Sequence, residues 1–375
     1  MRLSYLGPLY LGPLYLGPLY RSSLYLGALL VALSVSPLAS LPAQSPAPSD
    51  SEQMTLYVTV SDHGGKPVQG LTRDDFTLLD NKHPETITGF RALAGTQAAV
   101  VIVLDAINLP YHDVSFARQQ LSRFFSSNPH LAQPTTFGVL QDSGLRMEPW
   151  FTTDGSALAT ALGRYSIGLR EQIRSTGLYG DEERLDQSVN TFKELIAEMP
   201  KDGIKHVIWI SPGWPLLGGP GLELNPSQRT PVFTNIVQFA TELRRLRVIV
   251  DAVNPLGASE DVGRTSYYES FLRAPRKSND VELGQLGLQV IAQQSGGLVL
   301  HGSNDIGAMI QRAIDHTKSG YELTFTPAPG EHENEYHELQ IKLRLPGLSV
   351  HTTAGYYAKP VFPGLPGAAA LPHAD

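Results

Sequence analysis

The densest run of metal-capable side chains is EHENEYHE, residues 331–338, which gathers His332, His337, Glu331, Glu333, Glu335 and Glu338. Imidazole and carboxylate together suit zinc, but zinc on a helix wants His-Glu-x-x-His, and that spacing is absent here. The flanks read as a hairpin turn entering a strand. Neighbours on a strand point to opposite faces, so most of these groups cannot converge on one ion. The run is read as a solvated turn. For serine hydrolysis, Gly-x-Ser-x-Gly does not occur. Ser211 follows a strand, but Pro212 restricts the turn and no partner histidine is indicated. A Ser/His/Asp set meeting only in space stays open, because such sets are defined by geometry. Neither phosphate-loop signature is present: Gly218-Gly219-Pro220-Gly221 lacks the following lysine. No spacing suggests a carboxylate pair for glycoside cleavage. Cysteine is absent, which removes thiol catalysis, thiolate zinc sites and disulfides alike.

The elements that must position any remaining chemistry follow from patterning. The chain has 375 residues, a hydrophobic content of 42% and a net charge of −7. That is enough for one large or two modest domains with a real core. The one basic piece, Leu243-Arg-Arg-Leu-Arg247, reads as a solvated helix end favoured by the helix dipole. With no long basic run, nucleic acid is not expected as a partner.

Residues 1–49 contain no acidic side chain, and Arg21 precedes the apolar run LYLGALLVALSVSPLA. A positive region, a short apolar stretch and small residues up to Ala43 make a secretory signal with cleavage after Ala43. The run of about 16 residues is short of the roughly 20 a spanning helix needs. An uncleaved anchor is the alternative. Upstream, YLGPL repeats from Tyr5, Tyr10 and Tyr15, and its prolines exclude a helix. Residues 44–53 are a polar linker.

Residues 54–95 read as short strands, with Thr72 capping one helical turn. From 96 to 320, continuous apolar runs (AAVVIVLDA, HVIWIS, RVIVDAV) alternate with helical periods such as Leu185, Val189, Phe192, Leu195 and Ile196. Unbroken apolar strands are those buried on both faces of a parallel sheet. Their alternation with helices predicts an α/β fold: a doubly wound, mostly parallel sheet flanked by helices. Residues 321–358 return to period-two strands. The two flanking segments are expected to form one small β-module, and the tail 359–375 is expected to be disordered.

An ordered set of segments resembles a family of exported (acido)bacterial proteins with a von Willebrand factor A-related domain. They are VTVSDHGGKPVQGLTRDDFTLLDN, VVIVLDA, RSTGLYGDEERLDQSV, KHVIWISPG, GYELTFTPAPG and HELQIKLRLPGLSVHTTAGYYA. The resemblance spans residues 56–358 and implies ligand binding through a metal-ion-dependent adhesion site at the carboxyl ends of the strands. Such a site uses Asp-x-Ser-x-Ser, a later threonine and an aspartate after the fourth strand. Here Asp105 and Thr176 match, Ile107 and Leu109 stand at the serine positions, and Ser211 replaces the last aspartate. A hard divalent cation wants about six oxygens, so the remnant site Asp105, Thr176 and Ser211 is expected to bind no cofactor, or Mg2+ or Ca2+ only weakly. Asn108 and Asp113 are the neighbours able to compensate.

Two long connections, 212–235 and 254–280, carry Trp214, Tyr267, Tyr268, Phe271 and Arg273, residue types that anchor interfaces. Both leave strand carboxyl ends, so they are expected to share one edge with Asp105. The reading is therefore a secreted or periplasmic, non-enzymatic protein that binds an unidentified protein partner, with no membrane span once the signal is removed. Its alternatives are a divalent-cation-dependent adhesion receptor with a variant site and, ranked last, a hydrolase.

Overall fold

The computed structural model describes residues 53–93, 95, 98–165, 178–215, 224–257 and 267–359. The signal and linker segments and the tail beyond 359 lie outside them. β1 (Met54–Ser61) buries Met54, Leu56, Val58 and Val60, as its alternation requires. The single turn Arg73–Asp75 follows Thr72, whose N–H and hydroxyl both donate to Asp75 Oδ2 at 2.8 Å. β2 (Phe76–Asp80) and β3 (His83–Glu85) form a hairpin around Asn81 and Lys82. Both of these residues have positive φ, the two-residue turn whose twist matches paired strands. β4 (Gly89–Leu93) completes the amino-terminal set.

The α/β domain runs β5 (Ala99–Asp105), α1 (Tyr111–Ser127), β6 (His130–Gln141), β7 (Gly144–Met147), β8 (Thr152–Asp154), α2 (Gly155–Arg164), α3 (Leu178–Glu198), β9 (Lys205–Ile210), α4 (Pro226–Arg245), β10 (Val248–Val253), α5 (Leu288–Gln294), β11 (Val299–Leu300) and α6 (Ile306–His316). Its sheet has the order β11-β10-β9-β5-β6-β7, with only β7 antiparallel on that path. Counted along the domain this is 3-2-1-4-5-6, the doubly wound order. β5 and β9 run parallel, and the order in which strands are added reverses between them; the crevice at their carboxyl ends is where Asp105 lies.

Both faces are covered, which is why β9 and β10 are buried along their whole length and mostly apolar. α1, α2 and α6 pack on one face around Ile102, Leu104, Phe125 and Phe137. α3, α4 and α5 pack on the other around Val103, Phe192, Trp209 and Val250.

β12 (Gly320–Phe325), β13 (Glu335–Leu343), β14 (Ser349–Thr352) and β15 (Gly355–Ala358) return to the amino-terminal strands. Two antiparallel sheets result, β14-β1-β12-β4 and β15-β13-β2-β3. They share a core of Leu56, Val58, Phe76, Leu78, Tyr321, Leu323 and Phe325. The β-module is thus a sandwich drawn from both flanks, with the α/β domain inserted between β4 and β12.

Three expectations need correction. α2 was not anticipated, although Asp154 caps it by accepting from the Ala157 N–H at 3.0 Å. α4 begins at Pro226, so the connection after β9 ends well before residue 235. Asn225 caps it, and Pro226 fits where the N–H needs no helical partner. The apolar positions Leu283, Leu286, Val290 and Ile291, whose spacing predicts one helix, are divided between a 3-10 turn, Leu283–Leu286, and α5.

Candidate functional site

Asp105 ends β5 with no solvent exposure. Its Oδ1 accepts from the N–H groups of Ile107 at 3.2 Å and Asn108 at 3.1 Å. Its Oδ2 accepts from Asn108 Nδ2 at 2.8 Å and Trp209 Nε1 at 3.0 Å. Burial pushes the carboxyl above its ordinary range; Asn108, Trp209 and the Ser211 hydroxyl pull it partly back. Asn108 Nδ2 also donates to Ser188 Oγ on α3 at 2.9 Å, while Asn108 Oδ1 is buried without a hydrogen bond.

The loop is fixed by its apolar residues as well. Ile107, 1% exposed, enters the core beneath α3, and Leu109, fully buried, enters the core beneath α1. Ile107 and Leu109 therefore pin the loop to both layers. Ser211, 1% exposed, joins Asp105, and Thr176 lies outside the described residues.

The aromatic residues of the long connections are placed differently from expectation. Trp214 is 2% exposed and packs T-shaped against Trp209 at 5.3 Å and Phe192 at 5.7 Å. Tyr268 and Phe271 are buried against Val290 of α5. These three are core residues, because apolar rings gain more from burial than a polar loop loses in covering them. Tyr267, at 43%, and Arg273 remain exposed. The second connection does not stay at the carboxyl edge: the Tyr357 hydroxyl of β15 donates to Pro275 O at 3.0 Å. An exposed aromatic that the sequence reading passed over is Tyr111, half exposed at the start of α1 and two residues beyond Leu109.

A second buried carboxylate also escaped notice. Asp251, in mid-β10, sits 2.8 Å from His206 Nε2 and 3.5 Å from His316 Nδ1, and accepts from the Leu298 N–H at 2.6 Å. Burial would raise its carboxyl, but the two imidazoles outweigh burial and hold it below the ordinary range. Thr317 Oγ1 lies 3.0 Å from His206 Nδ1, which gives a hydroxyl–imidazole–carboxylate line. Thr317, His206 and Asp251 are all fully buried, so this line meets no substrate and ties β9, β10 and the end of α6 together.

The EHENEYHE run splits in two. Glu331, His332 and Glu333 are exposed around the turn, whereas His337 is buried, a correction to the solvated reading. Its Nδ1 lies 2.9 Å from Asp80 Oδ1, and the Tyr356 hydroxyl donates to Asp80 Oδ2 at 2.5 Å. Among the described residues no group of three or more His, Asp or Glu is placed to hold a metal ion. In the basic run, Arg245 pairs with Glu242 on α4, and Arg247 reaches Glu322 of β12 at 3.3 Å.

His351 of β14 carries a pH dependence. Burial first, then the His316 imidazole and Arg312, push it down to about 4, against the opposing pull of Asp251. A folded value below the unfolded one of about 6.5 gives stability that is full above pH 6.5 and lost as pH falls through 4. Wild-type protein is expected to lose about 2 kcal/mol between pH 7 and pH 4 that His351→Gln does not lose. Urea melts of both proteins at the two pH values check this, and parallel losses would refute it.

No family model matches the chain, and comparison with curated proteins finds no match. Solved structures similar to it include an aerotolerance-related membrane protein from Bacteroides fragilis, at 15% identity and a TM-score of 0.33, covering 59% of this chain and 99% of that one. The SpRpn10 VWA domain is similar at 9% identity and 0.30, covering 58% and 96%. A von Willebrand factor type A protein from Catenulispora acidiphila is similar at 10% identity and 0.30, covering 83% and 76%.

Proposed function

We propose that this chain is an exported binding protein with an A-type domain, which engages a protein partner at the carboxyl edge of its sheet and acts without catalysis or a complete metal-dependent adhesion site. The observation that carries the reading is the state of Asp105. Both its oxygens are filled by N–H donors, and Ile107 and Leu109 beside it offer no oxygen. A divalent cation there would have to displace Trp209 and two loop amides while finding most of its roughly six oxygens elsewhere. The residues do not fit a resident Mg2+ or Ca2+.

Recognition then falls to exposed side chains on a rigid loop. Tyr111 projects where the pinned segment 106–110 enters α1, and a tyrosine anchor loses little entropy on binding. Tyr267 and Arg273 are the surviving candidates of the second connection. Export rests on the signal-like residues 1–43, and among the described residues no helix is long and apolar enough to cross a membrane.

One observation favours a second reading, a cation-dependent adhesion receptor with a variant site. Asn108 Oδ1 is buried and unbonded, an oxygen available to a cation. Calorimetric titration with Mg2+ and Ca2+ separates the two. No saturable heat at millimolar concentration is expected. Micromolar binding that Asp105→Asn removes would establish the variant site instead. For the first reading, the set of proteins captured from an envelope fraction should shrink with Tyr111→Ala, and an unchanged set from Tyr111→Ala and Tyr267→Ala proteins would sink it.

A further inference from the structure

A polar cavity of about 130 Å3 lies where the β-sandwich meets the α/β domain, between β1, β14 and α6. Thr59 and His316, each more than nine-tenths buried, lie at its floor, 2.7 Å apart through Oγ1 and Nε2. Arg312, His63, His351 and Ser349 form its wall. One ordered water needs ~10–15 Å3 by this measure, so a tetrahedral oxyanion fits with water to spare.

The balance of donors and acceptors is one-sided. Asp62 is the one carboxylate lining the cavity, and its Oδ1 is taken by the N–H groups of Gly64 at 2.8 Å and Lys66 at 2.9 Å. Behind His316, Asp251 is committed to His206 and the Leu298 N–H. Arg312 is different: among the described residues no carboxylate pairs with its guanidinium. The group lies under the turn at Gly65, where an added Cβ would stand 3.7 Å from Nε. The His351 ring stands edge-on to His316 at 5.3 Å. A guanidinium, imidazoles and hydroxyls thus face one cavity whose single lining carboxylate, Asp62, already has one oxygen taken by two amides.

We propose that this cavity binds a phosphate group, free or carried by a larger ligand. Arg312 provides the charge-assisted hydrogen bonds, with His63 and His351 beside it and the hydroxyls of Thr59 and Ser349 within the cavity. A planar fork suits phosphate oxygens better than a point charge does. The bound anion would join β1 and β14 of the sandwich to α6 of the α/β domain. It would therefore stabilise the seam between them.

The test is calorimetry and thermal melting of the full chain with inorganic phosphate, phenyl phosphate and acetate, each against sodium chloride of matched ionic strength. Saturable phosphate binding and a raised Tm are expected, with acetate weaker. Arg312→Gln should weaken phosphate binding at least about tenfold. Arg312 is exposed, so the variant should fold, and His63→Gln, also at an exposed position, serves as a second variant with a smaller loss. Phenyl phosphate binding as tightly as inorganic phosphate would mark a group carried on a larger ligand; much weaker binding would mark the free ion. Either result supports the site. Equal phosphate effects in wild-type and Arg312→Gln proteins, or none beyond the chloride control, overturn it.

Discussion

Replacing Asp251 with alanine is expected to cost about 3–5 kcal/mol of folding stability, a large share of what a domain possesses. The carboxylate has no exposure, is hydrogen-bonded to His206 and the Leu298 N–H, and stands 3.5 Å from His316 Nδ1. Removing it leaves two buried imidazoles and an amide facing a hole, and an unmade buried bond costs more than a made one contributes. The sign with pH follows from the direction of its shift. A carboxyl held below its unfolded value of about 4 contributes fully above that value and loses its contribution as pH falls further. The gap between wild-type and Asp251→Ala proteins in urea melts should therefore be widest near pH 7 and narrow by pH 3. A gap under about 1 kcal/mol at pH 7 would mean the network is an accident of packing. Double variants with His206→Ala should cost less than the sum of the singles, because both remove the same bond.

Why this network was invisible in the sequence, while the sheet around it was not, is a matter of range. Runs such as VVIVLDA, HVIWIS and RVIVDAV declare their burial locally, since each strand is covered on both faces and most of its positions are apolar. The return of period-two alternation after residue 320 marked the flanking strands in the same way, though not their division into two sheets. Asp251 meets His206 across 45 positions and His316 across 65, and no local pattern encodes such a meeting. Trp214 and Phe271 failed for the opposite reason. Their loop setting suggested exposure, yet Trp214 fills the space between Trp209, Phe192 and the end of β9. The start of α4 was hidden by Pro226 and Pro231, which read as loop residues, although Asn225 with Gln228 is a capping box. α2 could have been found from Asp154 ahead of its Ala- and Leu-rich stretch. At the candidate site, the apolar character of Ile107 and Leu109 beside Asp105 was legible. What those residues do instead was not, because anchoring a loop into two cores is a property of the folded layers.

Asp105 provides the decisive comparison of structural and ligand-binding roles. Asp105→Ala is expected to destabilise the protein by about 3 kcal/mol in the absence of any divalent ion, because it orphans the Trp209 indole N–H, two loop amides and the Asn108 amide together. Asp105→Asn keeps the volume and one acceptor oxygen, so it should retain part of that stability, but its own NH2 then faces a shell made of donors. The order wild type above Asn above Ala, unchanged by Mg2+ or by a chelator, is what a structural carboxylate predicts. A cation site predicts the reverse dependence. Packing donors around a carboxylate and leaving no cation there to neutralise it would then be the costly state, so adding Mg2+ should raise the wild-type Tm and leave both variants unmoved. Melting curves of the three proteins, each with Mg2+ and with chelator, distinguish the outcomes. A Tm of the wild-type protein that rises with Mg2+ would return the metal to the carboxyl edge and remove the reason for assigning recognition to exposed side chains such as Tyr111.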